Sequence, residues 1–273
     1  MSESRLRIAV VVTCHNRREK TRACLESIRV QSLGLAVEQE LFLTDDGSTD
    51  GTAEMVRTVW PGATIVMGDG TLFWNQGMRR AWQAAAATDP DYYWLINDDT
   101  VVEPFALADL LALAPGADRR VIAVGAVVDP RNGRQVYGGW RRRGRELVPA
   151  SGVVEACETM NANCALVPRA VFQEIGMFHE AYSHAMGDFD YGFEAGRHGI
   201  AVWQTSRAIA RCEGNAVEGT WRDRTLGRAE RWKKIQSVKG LPPAEWWVYT
   251  WRNEGWLAPL RFVSPYLKVW RGR

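Results

Sequence analysis

Residues 92–104 read YYWLINDDTVVEP, and this stretch decides the fold. Tyr92 to Ile96 form an unbroken apolar and aromatic run, the pattern of a strand buried on both faces. The run stops at Asn97, Asp98 and Asp99, and Pro104 then opens a helix, PFALADLLALA. Two adjacent carboxylates repel each other and are costly to bury unpaired. A positive partner is therefore expected at this strand end: a lysine or arginine, a helix N-terminus or a metal ion.

The same unit recurs on both sides. LRIAVVVTCHNR is a β-branched strand running into a polar loop, and EKTRACLESIRVQS sets Ala23, Leu25, Ile28 and Val30 among charges, as an amphipathic helix does. EQELFLTDDGSTDGT is a second strand ending in a Gly/Asp/Ser turn, with Thr49 or Asp50 capping the helix GTAEMVRTVW. ATIVMGDG is a short third strand, NQGMRRAWQAAAA a helix, and RRVIAVGAVVDP a fifth strand. This alternation from residue 6 to about 129 predicts an α/β fold: a mostly parallel, right-handed βαβ sheet with helices on both faces. Ligands of such sheets bind beyond the carboxyl ends of the strands. TCHNR, TDDGSTDG, GDG and NDD all lie at such ends, so four polar clusters converge on one edge.

The whole chain bounds the function. At 273 residues, 46% hydrophobic and 24% charged, it is long enough for a full core and ordinary for a globular protein. MSESRLR leads directly into a strand-like run, so no signal peptide is expected, and no stretch of roughly 18 apolar residues suggests a spanning helix. Five cysteines without a C-x-x-C pair speak against zinc and disulfide frameworks and fit a reducing compartment. The net charge of +2 hides an asymmetry: residues 221–273 hold 12 Lys+Arg against 4 Asp+Glu, and seven of the 13 tryptophans. A basic, tryptophan-rich tail on an acidic body suits an anionic or amphipathic partner, or else packs on the body through its indoles. There is no G-x-G-x-x-G after the first strand and no G-x-x-x-x-G-K-[ST], so a dinucleotide fold is disfavoured and a P-loop excluded. Another device must neutralise any phosphates. A Mg²⁺ or Mn²⁺ ion on the hard oxygens of NDD would do so.

VVVTCHNRREKTRACLESIRVQS, LFLTDDGSTDGT, WLINDDTVVEP and GDFDYGFEAGRHG together resemble the family 2 glycosyltransferases, over roughly residues 6–215. GDGTLFWNQGMRRA and KGLPPAEWW are similar to a bacterial subgroup associated with surface polysaccharide or rhamnose transfer. The resemblance implies a GT-A fold in residues 1–220. Residues 1–129 would form the nucleotide-sugar half and 130–220 the acceptor and base half, with 221–273 a helical, basic aromatic appendage. It implies that Thr13 and Asp46 hold the nucleotide base. Asn97-Asp98-Asp99 stands for the D-x-D motif, with Asp98 near the donor sugar and Asp99 on the metal. Arg79 or Arg80 matches a basic position at the pyrophosphate or base. Asp188 matches the catalytic base, which takes the acceptor hydroxyl's proton in an inverting transfer.

Position suggests the remaining candidates. His15, Asn16 and Arg17 lie in the first strand-end loop and Asp69 in the third. Trp74 is a candidate stacking platform and Asn75 a diphosphate contact. Asn161 and Asn163, on one face of an expected strand, His184 and Asp190 are placed on the acceptor side. The family often carries a later histidine as a further metal ligand; AIARCEGNAVEG has none. WRRRGR at 140–145 reads as a solvated hairpin or as an electropositive rim for an anionic acceptor.

The expected enzyme is thus a metal-dependent, inverting hexosyl- or rhamnosyltransferase that uses a dTDP- or UDP-sugar and a glycan or lipid-linked acceptor. It would be cytoplasmic, peripheral at the inner face of the plasma membrane through residues 221–273. Nucleic acid is not an expected partner, because the acidic strand-end edge would repel it. A nucleotidyltransferase is the second reading, though TCHNRREK lacks the glycines of its phosphate loop. A non-catalytic glycan-binding scaffold is the third.

Overall fold

The computed structural model describes residues 5–31, 36–141 and 145–272. Its first part runs β1 (Leu6–Cys14), α1 (Arg18–Arg29), β2 (Val37–Asp45), α2 (Thr52–Val59), β3 (Thr64–Met67), α3 (Phe73–Ala86), β4 (Tyr92–Ile96), β5 (Val101–Val102), α4 (Ala106–Leu113) and β6 (Val121–Val128). The middle holds β7 (Gln135–Tyr137), β8 (Gly139–Arg141), β9 (Glu146–Leu147), β10 (Glu155–Cys157), β11 (Thr159–Met160), β12 (Cys164–Pro168), α5 (Arg169–Ile175), α6 (Gly187–Arg197) and β13 (Ala201–Arg211). Then come α7 (Arg228–Ile235), α8 (Pro243–Glu254), a 3₁₀ turn (Gly255–Leu257) and α9 (Ala258–Trp270).

The main sheet has the order β10-β13-β6-β12-β4-β1-β2-β3, and β11-β8-β9 form a small second sheet. β4, β1, β2 and β3 are mutually parallel, with Thr13 opposite Thr44 and Cys14 opposite Asp45. Their polar ends therefore lie on one edge, as the alternation predicts. All five residues of β4 are buried. Tyr92, Trp94 and Ile96 face Leu25 and Ile28 of α1, Val56 of α2 and Leu110 of α4. Tyr93 and Leu95 face Met78, Trp82 and Ala85 of α3. Trp82 is wholly buried, with Tyr93, Phe172, Phe178 and Tyr191 at ring-centroid distances of 5.7, 5.9, 5.2 and 5.5 Å. Each such side chain contributes about 1.5–3 kcal/mol by leaving water.

Two expectations change. The alternation predicts a mostly parallel sheet, yet β12 lies between β4 and β6, antiparallel to both. The run TMNANC is not one strand either: β11 ends at Met160, and Asn161 to Asn163 turn the chain into β12. The pairing of Cys164 with Ile96 brings that turn to the end of β4, where the Asn97 N–H donates to the Asn163 carbonyl at 3.2 Å. The sheet thereby delivers residues of the middle part to the polar strand-end edge of the first. Of the WRRRGR run, residues 142–144 lie outside the described residues.

The C-terminal helices are fastened to α6. The Arg252 Nε of α8 reaches both Asp190 oxygens, at 3.1 and 3.0 Å, and its Nη2 reaches Glu194 at 3.0 Å. The Asn253 amide donates to Asp190 at 2.7 Å. The Glu245 carboxylate accepts from the Ser183 N–H and hydroxyl at 3.0 and 2.8 Å. Among the described residues no helix is long and apolar enough to cross a membrane.

Candidate functional site

The edge is assembled by hydrogen bonds between strand-end loops. The Asn16 N–H donates to the Ser48 hydroxyl at 2.9 Å, and the Thr49 N–H donates to Asn16 Oδ1 at 2.8 Å. His15 Nδ1 lies 2.6 Å from the Asp46 carbonyl, and its Nε2 lies 3.1 Å from the Asn16 amide nitrogen. The carbonyl fixes the tautomer with the proton on Nδ1, which leaves Nε2 to accept. Asp46, 3% exposed, accepts from the Gly70 N–H at 2.8 Å and from the Phe73 N–H at 3.0 Å, so it locks the third loop onto the second. Asp69 accepts from the Thr71 hydroxyl and N–H at 2.6 and 3.0 Å, and these bonds hold its carboxyl below the usual range. It is a turn former at the rim. Thr13 is buried beneath the edge, its hydroxyl donating to the Thr44 carbonyl at 3.4 Å. A Cβ on Gly77 would stand 2.1 Å from that hydroxyl, so a glycine is required where α3 crosses β1.

The positive partner expected at NDD is Arg17. Its Nη1 lies 3.3 Å from Asp98 and 2.8 Å from Asp99. Burial alone would lower the guanidinium pKa, but the two acids outweigh it and raise it. One positive charge does not balance two carboxylates: burial, with the neighbouring Asp99 adding to it, pushes Asp98 up to about 7 despite Arg17. Asp99 also accepts from the Cys212 thiol at 3.3 Å. Asn97 Oδ1 accepts from the Trp74 indole N–H at 2.8 Å, and Trp74 packs on Phe178 at 5.3 Å. Trp74 thus orients Asn97 with its polar edge.

This donor set fits a divalent cation of one kind. Among the described residues no group of three or more His, Cys, Asp or Glu side chains could cage a metal alone. Hard carboxylates in excess of the local positive charge instead suit an ion whose remaining positions are filled by phosphate oxygens and water.

At the start of α6 stands Asp188, joined to the end of β4 through the Asn161–Asn163 turn. Its Oδ1 accepts from the Phe189 N–H at 2.9 Å, and its Oδ2 from the Ala162 N–H at 3.3 Å and the Asn161 amide at 3.4 Å. Burial raises its pKa against these bonds. The Trp140 indole donates to Asn161 Oδ1 at 2.6 Å and so aims the Asn161 amide at Asp188. His184 lies edge-on to Phe73 at 6.2 Å, its buried Nδ1 without a hydrogen bond. Burial, then the positive charges of Lys239 and Arg17, push it down to about 4, so the ring is neutral at neutral pH. Asn16, Phe73 and Met186 have φ of 50°, 54° and 76° without being glycine. One lies in the first loop, one enters α3 and one caps α6. Such strain collects where a site over-determines its backbone.

Three candidates are engaged elsewhere. Asn75 is wholly buried and donates its amide to the His179 and Tyr182 carbonyls at 3.1 and 2.8 Å. It ties the 179–183 loop to α3 and is not open to a diphosphate. Arg79 turns to the same loop, bonding the Phe178 carbonyl with Glu180 at 3.8 Å. Asp190 points away from Asp188 into the clamp on α8. Asn163 is buried, and its carbonyl braces Asn97.

Sequence reasoning missed Trp140, Cys212 and Tyr249. Tyr249 of α8 has its hydroxyl pKa raised by burial and then by the charges of Asp188 and Asp190. Neither Cys212 nor Tyr249 belongs to a motif, and Trp140 was marked only as the first residue of the WRRRGR run. Only the position of Cys212, in the segment searched for a histidine, was a signal.

An open α/β sheet with polar loops gathered at its parallel strand ends and paired acids after β4 is the architecture of a GT-A fold. The family model "Glycosyltransferase like family 2" matches residues 5–257. The chain belongs to this family, and it is a glycosyltransferase. Similar solved structures include TarS residues 1–349 of S. aureus in complex with UDP, 14% identical with a TM-score of 0.56 over 90% of this chain and 70% of that one. Another is the mannosyltransferase PcManGT of Pyrobaculum calidifontis in complex with GDP-Man and Mn²⁺, at 17% identity and a TM-score of 0.60, covering 97% and 70%. GalNAc-T7 with UDP, GalNAc and Mn²⁺ gives 15%, 0.59, 97% and 55%. At these identities the likeness concerns the fold. Among curated proteins none matches.

Proposed function

We propose that this chain is an inverting glycosyltransferase that moves a hexosyl or rhamnosyl unit from a nucleoside-diphosphate sugar to a hydroxyl of a glycan or lipid-linked glycan, in the building of a bacterial surface polysaccharide. The observation that carries it is the Asn161–Asn163 turn, which bonds Asp188 on one side and Asn97 on the other and so joins that carboxylate to the Asp98–Asp99 end of β4, where Arg17 alone faces two acids. A Mg²⁺ or Mn²⁺ ion on Asp99, with Asp98 behind it, would stabilise the charge that develops on the departing diphosphate. Mn²⁺ in two of the similar structures supports that choice. The nucleoside sits over His15, Asn16 and the Asp46 loop. Arg17 moves its charge from the acids toward the diphosphate. Asp188 takes the acceptor proton as the hydroxyl oxygen attacks the anomeric carbon, and the bond to the diphosphate breaks with its electron pair leaving on oxygen. The Asn161 amide and Ala162 N–H hold the Asp188 carboxylate in line.

UDP in two similar structures and GDP-mannose in a third leave UDP the favoured base here, with dTDP beside it because of the rhamnosyl-like motifs. A thermal-shift panel of nucleoside diphosphates and their sugars, with Mn²⁺, Mg²⁺ or chelator, tests this. At 100 times its dissociation constant the correct donor stabilises by about 2.7 kcal/mol. A metal-dependent shift with one base is expected. A flat panel on folded protein overturns the reading.

A further inference from the structure

α9 is apolar on two opposite faces. Ala258 and Val269 are buried, and Phe262 and Tyr266 pack toward the neighbouring helices through Trp247 and Trp232. The other face is open. Trp256, Leu260, Val263, Leu267 and Trp270 recur every three or four residues and are 86%, 70%, 43%, 42% and 66% exposed. That spacing keeps them on one stripe. A helix apolar on both sides is ordinarily buried on both, so the stripe needs a cover.

Charge identifies the cover. Lys268 and Arg271 line a shallow groove with Leu260, Val263 and Leu267, and among the described residues neither has an acidic partner. The acids of this region are engaged elsewhere: Glu245 with Ser183, Glu254 with Arg261, Glu230 with Lys234, and Asp223 within its own turn. A second copy docked on the stripe would therefore bring cations and no acid to meet them. A surface of anionic headgroups over acyl chains satisfies both features. Apolar side chains enter the acyl boundary, the indoles of Trp256 and Trp270 sit at headgroup depth, and the two cations meet phosphate. Thirteen residues of helix are about 20 Å long, which suits a helix lying flat and is too short to span.

We propose that the outer face of α9 docks this chain on an anionic lipid bilayer. α9 packs on α8, and α8 is bound through Arg252 and Asn253 to the helix that carries Asp188. Docking thus holds the base side of the site at a fixed distance from the bilayer. That geometry selects a lipid-linked acceptor over a free glycan, a choice that rests on the transfer reading above; the docking itself does not.

The test is sedimentation of the full chain with phosphatidylcholine vesicles, with and without phosphatidylglycerol, without substrate. Binding is expected only where phosphatidylglycerol is present. Lys268→Gln/Arg271→Gln should weaken it about 25-fold, roughly fivefold per cation. Leu260→Asn/Leu267→Asn should weaken it on the order of tenfold or more. All four positions are exposed, so both variants should keep the wild-type circular dichroism and melting temperature. Failure of the wild type to bind, or variants that bind as it does, overturns the proposal. So does a wild-type dimer in light scattering that Leu260→Asn/Leu267→Asn makes monomeric, since the stripe is then an interface between copies. Transfer to a soluble acceptor should be equal in all three proteins. A metal-dependent thermal shift with the nucleoside-diphosphate sugar should also be equal in all three proteins, and its absence from all three, with vesicle binding by the wild type intact, would count against the transfer reading and leave the docking standing.

Discussion

Replacing Arg252 by Ala tests how the C-terminal helices hold the site. Asp190 is 2% exposed at its side chain and meets the Arg252 Nε at two oxygens. Removing one partner of a fully buried pair costs about 3–5 kcal/mol, because the other charge stays buried. Two features reduce that here. Arg252 is itself 28% exposed, so solvent screens part of the pair. The Asn253 amide at 2.7 Å and Arg197 at 4.0 Å remain beside Asp190. The expected loss is about 2–3 kcal/mol, or several degrees in Tm. Urea unfolding of wild type, Arg252→Ala, Asp190→Asn and the double variant gives the coupling directly. Arg252→Met/Asp190→Leu should recover much of the loss, since apolar replacement of a buried pair is often neutral. Arg252→Ala within about 0.5 kcal/mol of wild type would refute the clamp. So would Asp190→Asn that abolishes transfer at unchanged stability, because Asp190 would then act in the chemistry.

Two further outcomes concern titration. The Asp188 carboxyl is raised, so the folded chain holds its proton to higher pH than the unfolded chain, and the ionised form costs stability above that range. Asp188→Asn should therefore be at least as stable as wild type at neutral pH while transfer falls by roughly 10²–10⁴ and donor-induced thermal shifts persist; unchanged transfer removes Asp188 as the base. His184 is depressed to about 4, so the unfolded chain binds the extra proton and stability is lost as pH falls from about 6.5 toward 4. His184→Gln should flatten unfolding midpoints between pH 7 and pH 5, and an equal slope in both proteins contradicts the assignment.

Much of the edge was legible because its signals are local. An apolar run ending in acids names a buried strand and its end, and four such ends on parallel strands must share an edge. The partner of NDD was legible only as one of three kinds of positive group, because its pairing with Arg17 spans 81 and 82 residues. The place of β12 was not legible: antiparallel insertion between β4 and β6 is set by pairings with strands far along the chain. Asn75 looked like a loop amide at the edge, but its partners lie 104 and 107 residues away. Asp188 and Asp190 sit on one helix start and differ only in what faces them, and Asp190 is answered by residues of α8.

The insertion of β12 has a consequence for how the chain folds. Val121–Val128 leaves the ribosome well before Cys164–Pro168, so β4 and β6 each wait with an unpaired edge until the strand that separates them is made. Open edges in a growing sheet invite wrong pairing. Because β6 pairs only with strands that follow it, it joins the parallel strands when β12 pairs with β4 and β6 together, a step of high contact order and therefore slow. Within residues 1–129, β6 therefore has no strand partner. The strand that closes the core also carries the Asn161–Asn163 turn to the polar strand-end edge, so the same late step completes both.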